Sequence, residues 1–210
     1  VTVVVQDSVA SILAPAAALT AVATTVQAQG SATVSVAGAQ ILAGLPGFTM
    51  HGNALTVEDS AANLASAAPG IMALAAVVEL AGDARISEAT AAQFAALGGT
   101  FAPNSSFITI ADTADNLLKL ATAPALLATA NSWQGEAVLS ANGSATVANA
   151  TALSQMAGFN VGTHHLTLAD SAANLLYGVG RTAWSLTLTS TFQWKQFFFR
   201  GELSYVQANR

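Results

Sequence analysis

Four aspartates recur at the same place in a repeated phrase of this chain. They are Asp7, Asp59, Asp112 and Asp170, separated by 52, 53 and 58 residues. Each follows a short apolar or β-branched run and precedes Ser or Thr. A short carboxylate at that place can accept hydrogen bonds from the free N–H groups of a helix's first turn. We therefore predict that these four residues are helix-capping residues at equivalent repeat positions.

Calcium binding is the alternative use of the same carboxylates. It would require several oxygen donors around one ion, and Glu58 with Asp59 and Asp112 with Asp115 are the local pairs that suggest it. The sequence favours capping, so we predict no metal and no cofactor. A calcium-dependent adhesin module stays open as an alternative.

The histidines are a second candidate for metal chemistry. His164 and His165 are adjacent, and neighbouring residues of an extended segment point to opposite faces, which separates the two rings. His51 stands at a similar point of an earlier copy. We interpret all three as polar loop residues.

Motifs for catalysis are absent from the sequence. It contains no phosphate-binding loop, nucleophile elbow or zinc helix motif, and it has no cysteine. No carboxylate pair stands out as a general acid and base. We therefore predict no catalytic residues and a protein that is not an enzyme.

Internal repetition is the strongest signal in the chain. Its phrase occurs three times in full, as Leu55–Leu64, Phe107–Leu117 and Leu166–Leu175. The phenylalanines Phe48, Phe101 and Phe159 each precede the next Asp by 11 residues. Such matched spacing predicts tandem structural units. We divide residues 1–176 into three repeats of about 53 residues and a truncated fourth, with the boundaries 7–58, 59–111, 112–169 and 170–176.

The order of patterns within a repeat predicts its supersecondary structure. A strand ends at Asp, a short helix limited by proline follows, and a turn signal lies between two alternating runs. A second helix, predicted over residues 37–45, 88–97 and 149–156, ends near glycine. The turn signals are Gln29-Gly30, Gly82-Asp83 and Asn142-Gly143, which we interpret as hairpins. The predicted fold is an α/β repeat, a solenoid-like stack of strand-helix-hairpin-helix units.

The repeated phrase resembles a known class of sequence. Leu-Thr-Val/Leu-x-Asp-Ser-Ala-Ala-Asn-Leu, the hairpin signal and the Ala-rich helix are similar to tandem repeats of very large secreted bacterial surface proteins, found beside adhesin and calcium-binding nonapeptide modules. The resemblance covers about residues 1–176 and implies an extracellular structural or adhesive role. This chain lacks the Gly-Gly-x-Gly-x-Asp string of the calcium modules.

The last residues, 177–210, have a different composition. Half of the aromatic residues lie in residues 181–210, where apolar and polar side chains alternate, so we predict a C-terminal β-hairpin. The predicted assembly tail consists of Leu186, Leu188, Phe192, Trp194, Phe197, Phe199, Leu203 and Tyr205. It either caps its own chain or pairs with a neighbour. It also resembles strands of outer-membrane barrel porins, so an outer-membrane-associated β-strand fragment is a further alternative.

Composition indicates self-association. Charged residues are 8% of the chain, against roughly 25% in an ordinary soluble domain, so little charge repulsion separates copies. Residues 1–180 carry two basic residues and ten acids, whereas residues 181–210 carry four basic residues and one acid. We predict a homo-oligomer or polymer with possible outer-membrane or cell-surface contact and no nucleic-acid partner. Because the chain opens at Val1, with no initiator Met, we expect a processed product or a fragment. The resemblance to surface proteins implies that it is secreted and located at the cell surface.

Overall fold

Residues 2–171 and 173–175 are described by a computed structural model. They form a mixed α/β fold in which the strands pair in parallel. The strands are β1 Val4–Asp7, β2 Thr25–Ala28, β3 Ala32–Val34, β4 Leu55–Asp59, β5 Val77–Leu80, β6 Ala84–Ile86, β7 Phe101–Ala102, β8 Ile108–Asp112, β9 Gly135–Leu139, β10 Gly143–Ala145 and β11 Leu166–Leu168. The helices are α1 Val9–Leu13, α2 Ala16–Val22, α3 Val36–Ala43, α4 Ala61–Ser66, α5 Pro69–Met72, α6 Glu88–Ala96, α7 Ala114–Ala121, α8 Pro124–Asn131 and α9 Val147–Leu153, with a 3₁₀ turn at Gly98–Thr100.

The chain divides into two compact units. The first contains residues up to Ala84 together with Gln93–Phe107. The second contains Arg85–Ala92 and the described residues from Ile108 onward. Among the residues described, no helix has the length and apolar character needed to cross a bilayer.

The first unit contains two sheets. One consists of β1 and β2, and the other has the order β3-β4-β5-β7. Alternate residues of the strands point into the core, as Leu55 and Val57 do in β4 and Val78 and Leu80 do in β5. Phe101 stacks on Phe94 with ring centroids 4.7 Å apart.

The second unit repeats this arrangement with a longer connection. Its sheets have the orders β6-β8-β9 and β10-β11. Asp7 pairs with Ala28 and Asp59 with Leu80, a separation of 21 residues in both, whereas Asp112 pairs with Leu139, a separation of 27. The extra residues lengthen α7 and α8. The core beneath them contains Leu117, Leu120, Leu139 and Leu153.

One glycine allows β9, the strand after this longer connection, to pair closely with β8. Gly135 begins β9 opposite Ile108. A Cβ atom at Gly135 would lie 2.0 Å from the carbonyl oxygen of Ile108, which no real side chain tolerates. Glycine thus permits the close approach of two backbones at this point.

The predicted hairpins are wrong. The turn at Gln29-Gly30 joins β2 to β3, but β2 pairs with β1 and β3 pairs with β4, both in parallel. In the second unit, likewise, β9 pairs with β8 and β10 with β11. Alternation of apolar and polar residues defines a strand but does not specify its partner. We call one strand segment together with the helices that follow it a pass of the chain. Each of these strands pairs in parallel with a strand of a different pass, and not with the antiparallel neighbour that the hairpin prediction expects.

The helices lie where the sequence predicts them. Proline limits the first helix of each repeat, since α5 begins at Pro69, α8 begins at Pro124 and Pro15 directly precedes α2. The second helices α3, α6 and α9 overlap the predicted ranges 37–45, 88–97 and 149–156. The predicted tail, residues 177–210, lies outside the described residues.

Candidate functional site

The repeated aspartates lie one residue before the helix caps, not at them. Ser8, Ser60 and Thr113 are the N-cap residues, and each side-chain oxygen accepts the backbone N–H three residues later. The capping role predicted for Asp7, Asp59 and Asp112 is therefore wrong for the helix that follows each of them. Asp170 follows the same pattern, since the side chain of Ser171 accepts the N–H of Asn174. The Ser or Thr hydroxyl stands directly before the helix and accepts an N–H of its first turn. The carboxylate of the preceding Asp is therefore available to other donors.

In the second repeat the carboxylate of Asp59 contacts two helix beginnings. Its Oδ1 accepts the N–H of Ser60 at 2.8 Å and the side-chain amide of Asn63 at 2.6 Å. Its Oδ2 accepts the backbone N–H of Val36 at 3.0 Å. Val36 is the first residue of α3, so its N–H has no partner inside its own helix. Asp59 thus ties the beginning of α4 to the beginning of α3.

The same arrangement occurs in the second unit around Asp112. Thr113 N–H and the Asn116 amide donate to Oδ1 at 2.8 Å and 2.7 Å. The N–H of Glu88, the first residue of α6, donates to Oδ2 at 3.0 Å. The donors match those of Asp59 in type and in sequence position.

Asp170 completes the set. Ser171 N–H and the Asn174 amide donate to its Oδ1, both at 2.7 Å, and the N–H of Val147 at the start of α9 donates to Oδ2 at 3.1 Å. We call each of these three carboxylates, with its three donors, an aspartate bridge. The bridges at Asp59, Asp112 and Asp170 are separate sites with one design.

The bridges favour the ionised carboxylate. Partial burial by itself raises the pKa of Asp59 and of Asp112, but the hydrogen bonds from Asn, Ser or Thr and the helix N–H outweigh it, so both pKa values lie below the ordinary one. The charge of Lys119 adds to this effect at Asp112. At Asp170 the hydrogen bonds of Asn174, Ser171 and Val147 lower the pKa.

A buried carboxyl lies beside the second bridge. Burial raises the pKa of Glu88, the charge of Lys119 opposes that rise, and the charge of Asp112 adds to it. The result is a pKa above the ordinary value of 4.5. Val36 and Val147 occupy the equivalent positions of the other two bridges, so Glu88 is the variant member of that set.

A second set of polar contacts lies at the opposite end of the same strand pairs. The side chains of Ser31, Asp83 and Asn142 accept backbone N–H groups from the next pass, those of Ala54, Phe107 and His165. The following residues return the bond, since Ala32, Ala84 and Gly143 donate their N–H groups to the carbonyls of the same three residues. The predicted hairpin turns are therefore anchors between passes of the chain.

The histidines occupy loops. His51 has φ 46°, in the left-handed region, and Asn104 and Gly162, which also lie eight residues before an Asp, have φ values of 50° and 58°. His51 is thus part of a recurring turn that precedes the Asp strand. The backbone N–H of His165 donates to Asn142. Across the described part of the chain, no group of three His, Cys, Asp or Glu side chains could hold a metal ion.

Sequence reasoning missed the roles of two sets of residues. Asn63, Asn116 and Asn174 follow their aspartates by four residues, and this fixed spacing was the signal that could have identified them as carboxylate partners. The fixed position of Ser31, Asp83 and Asn142 before a strand was the signal for the second set. The predicted assembly-tail residues, from Leu186 to Tyr205, lie beyond the region that the structure describes.

Comparison with known proteins adds no relative to this picture. Neither protein-family models, nor curated proteins, nor solved structures match the chain.

Proposed function

We propose that this chain is a non-enzymatic structural protein of a bacterial extracellular surface layer, filament or adhesin stalk. In this proposal, successive passes of the chain stack as a solenoid and copies assemble through their ends. The observation that carries it is the recurrence of the aspartate bridge at Asp59, Asp112 and Asp170, each tying one pass to another. A polar site used three times to join passes serves architecture, because a reaction needs only one site.

The strand register supports the stacking. Ala32 pairs with Leu55 and Gly143 with Leu166, so equivalent strands lie 23 residues apart in both units. Parallel ladders of short strands bury their apolar residues only against the next pass, as repeat architectures do. The low content of charged residues, 8%, favours association between copies over free diffusion.

Electron microscopy of the purified 210-residue protein tests the proposal. We expect filaments or sheets above a threshold concentration, and a sedimentation coefficient that rises with concentration. Single particles at every concentration would contradict it.

A truncated chain tests the role of the predicted tail. Deleting residues 181–210 should weaken association, with circular dichroism checking that the remaining chain is folded. An unchanged assembly state after this deletion would exclude the tail from assembly.

A further inference from the structure

Within residues 2–171 and 173–175, strand β1 is paired along one edge and unpaired along the other. In the second and third copies the strand that ends at the repeated Asp has a neighbour on each side, since β4 lies between β3 and β5 and β8 lies between β6 and β9. β1 pairs with β2 alone among the described residues. Its residue Val4 is 50% exposed, and Val3, which directly precedes the strand, is 38% exposed. An exposed apolar edge strand is a template for pairing with another strand.

The backbone of β1 is oriented for such a partner. The carbonyls of Val3 and Asp7 accept N–H groups from Thr24 and Gln29 on the β2 side. Because hydrogen-bonding direction alternates along a parallel strand, Val4 and Gln6 direct their N–H and C=O groups to the open edge.

The carboxylate of Asp7 is the second open feature. Its Oδ1 accepts the N–H of Ser8 at 2.7 Å, as in the aspartate bridges. In those bridges Oδ2 accepts the N–H that opens the helix following the neighbouring strand. A segment that pairs with the open edge of β1 should therefore consist of a short strand, then Ser or Thr, then the beginning of a helix.

The three segments that fill this place elsewhere share a pattern: a small residue, a polar residue, an apolar residue, then Ser or Thr, then the N–H donor. They are Ala32-Thr-Val-Ser-Val36, Ala84-Arg-Ile-Ser-Glu88 and, with alanine at the apolar position, Gly143-Ser-Ala-Thr-Val147. The segment Gly201-Glu-Leu-Ser-Tyr205 has the same pattern. It departs at the preceding position, where Arg200 replaces the hydrogen-bond acceptors Ser31, Asp83 and Asn142.

We propose that β1 of one copy pairs in parallel with residues 201–205 of a second copy. In the register of β3 with β4, Leu203 lies opposite Val5, and the Tyr205 N–H donates to Oδ2 of Asp7. This inference rests on the proposed function, in which copies join end to end, because β1 belongs to the first repeat and residues 201–205 follow the last repeat in sequence. The basic residues of 181–210 and the acidic residues of 1–180 add attraction between the two ends.

Two proline variants and one matched control test the joint in the full chain. Val4→Pro removes an N–H at the open edge and leaves the β2 side intact, which edge strands tolerate. Tyr205→Pro removes the donor to Asp7. Val4→Thr is the control, because Thr56, Thr109 and Thr167 hold the same repeat position. Circular dichroism and the thermal midpoint identify folded variants.

Sedimentation velocity over a concentration series is the readout. The wild type and Val4→Thr should associate alike. Each proline variant should need an about tenfold or higher concentration, as the loss of one or two backbone hydrogen bonds implies. An equimolar mixture of the two proline variants has one intact joint and should form a dimer and nothing larger.

The outcomes separate this inference from the proposed function. If the wild type assembles and folded Val4→Pro assembles equally well, the joint is wrong and self-assembly stands. If the mixture stays monomeric while the wild type assembles, the joint is likewise wrong. A wild type that is monomeric at every concentration overturns both.

Discussion

Asp7 and the three later aspartates share a sequence phrase but differ in surroundings. Asp59, Asp112 and Asp170 are half-buried, and each accepts three hydrogen bonds, whereas Asp7 is exposed and accepts the N–H of Ser8. The later copies have Asn four residues after the Asp, and the first copy has Ser11. The same Asp therefore accepts only a local turn hydrogen bond where, among the described residues, no further pass lies beside it, and links two helices where one does.

The largest expected effect comes from Asp112→Asn. The amide retains one acceptor oxygen, so it cannot serve both the Thr113 and Asn116 donors and the Glu88 N–H. We expect a loss of about 2 kcal/mol in the free energy of unfolding, the range for hydrogen bonds to a charged group. Urea unfolding measures it.

Asp7→Asn is the matched control for that change. It removes no bond to another helix, so the loss should be a small fraction of the Asp112→Asn effect. Equal losses at the two positions would show that the bridge contributes nothing beyond the local turn.

Asn63→Ser converts the second repeat to the type of the first. It removes the 2.6 Å bond to Asp59 and should lower the free energy of unfolding by about 1 kcal/mol. The reverse change, Ser11→Asn, should raise it by a few tenths of a kcal/mol, because both partners stay solvent-exposed. If Asn63→Ser leaves the free energy of unfolding unchanged in the same urea experiment, the side-chain amide of Asn63 does not stabilise the bridge.

Glu88→Gln is expected to have the smallest effect and a characteristic pH dependence. A carboxyl whose pKa is raised by folding stabilises the folded state below its unfolded pKa, and this contribution is lost as the pH rises through the folded pKa. The variant should therefore be slightly more stable than the wild type at pH 7. The difference in stability between the variant and the wild type should vanish at pH values well below 4.5, the ordinary pKa of Glu. A pH-independent difference between their urea midpoints would contradict this.

Much of the local structure could be predicted from the sequence. Proline spacing located the breaks before α5 and α8, and the repeated run before each Asp located β4, β8 and β11. These features depend on neighbours in sequence, so the pattern contains them.

Strand partners and bridge partners could not be predicted in the same way. The residues around Gly30 alternate as a hairpin would, yet β2 and β3 pair with strands of other passes. The Oδ2 partner of Asp59 is a backbone N–H 23 residues earlier, which carries no side-chain signature. Among the bridge donors, the asparagine four residues after Asp59, Asp112 and Asp170 has a side chain that recurs at a fixed spacing in the sequence.

The central claim is that each bridging carboxylate holds the N–H of a helix from another pass. An NMR pH titration that follows the amide protons of Val36, Glu88 and Val147 tests it most directly. A pKa lowered by folding means that the bridge contributes fully above the ordinary Asp value of 3.8 and is lost as the pH falls through the folded value. We predict that the three amides are slow to exchange and shift together, with midpoints below 3.8. Amide protons that exchange freely with solvent, or whose chemical shifts do not change over this pH range, would contradict the bridges.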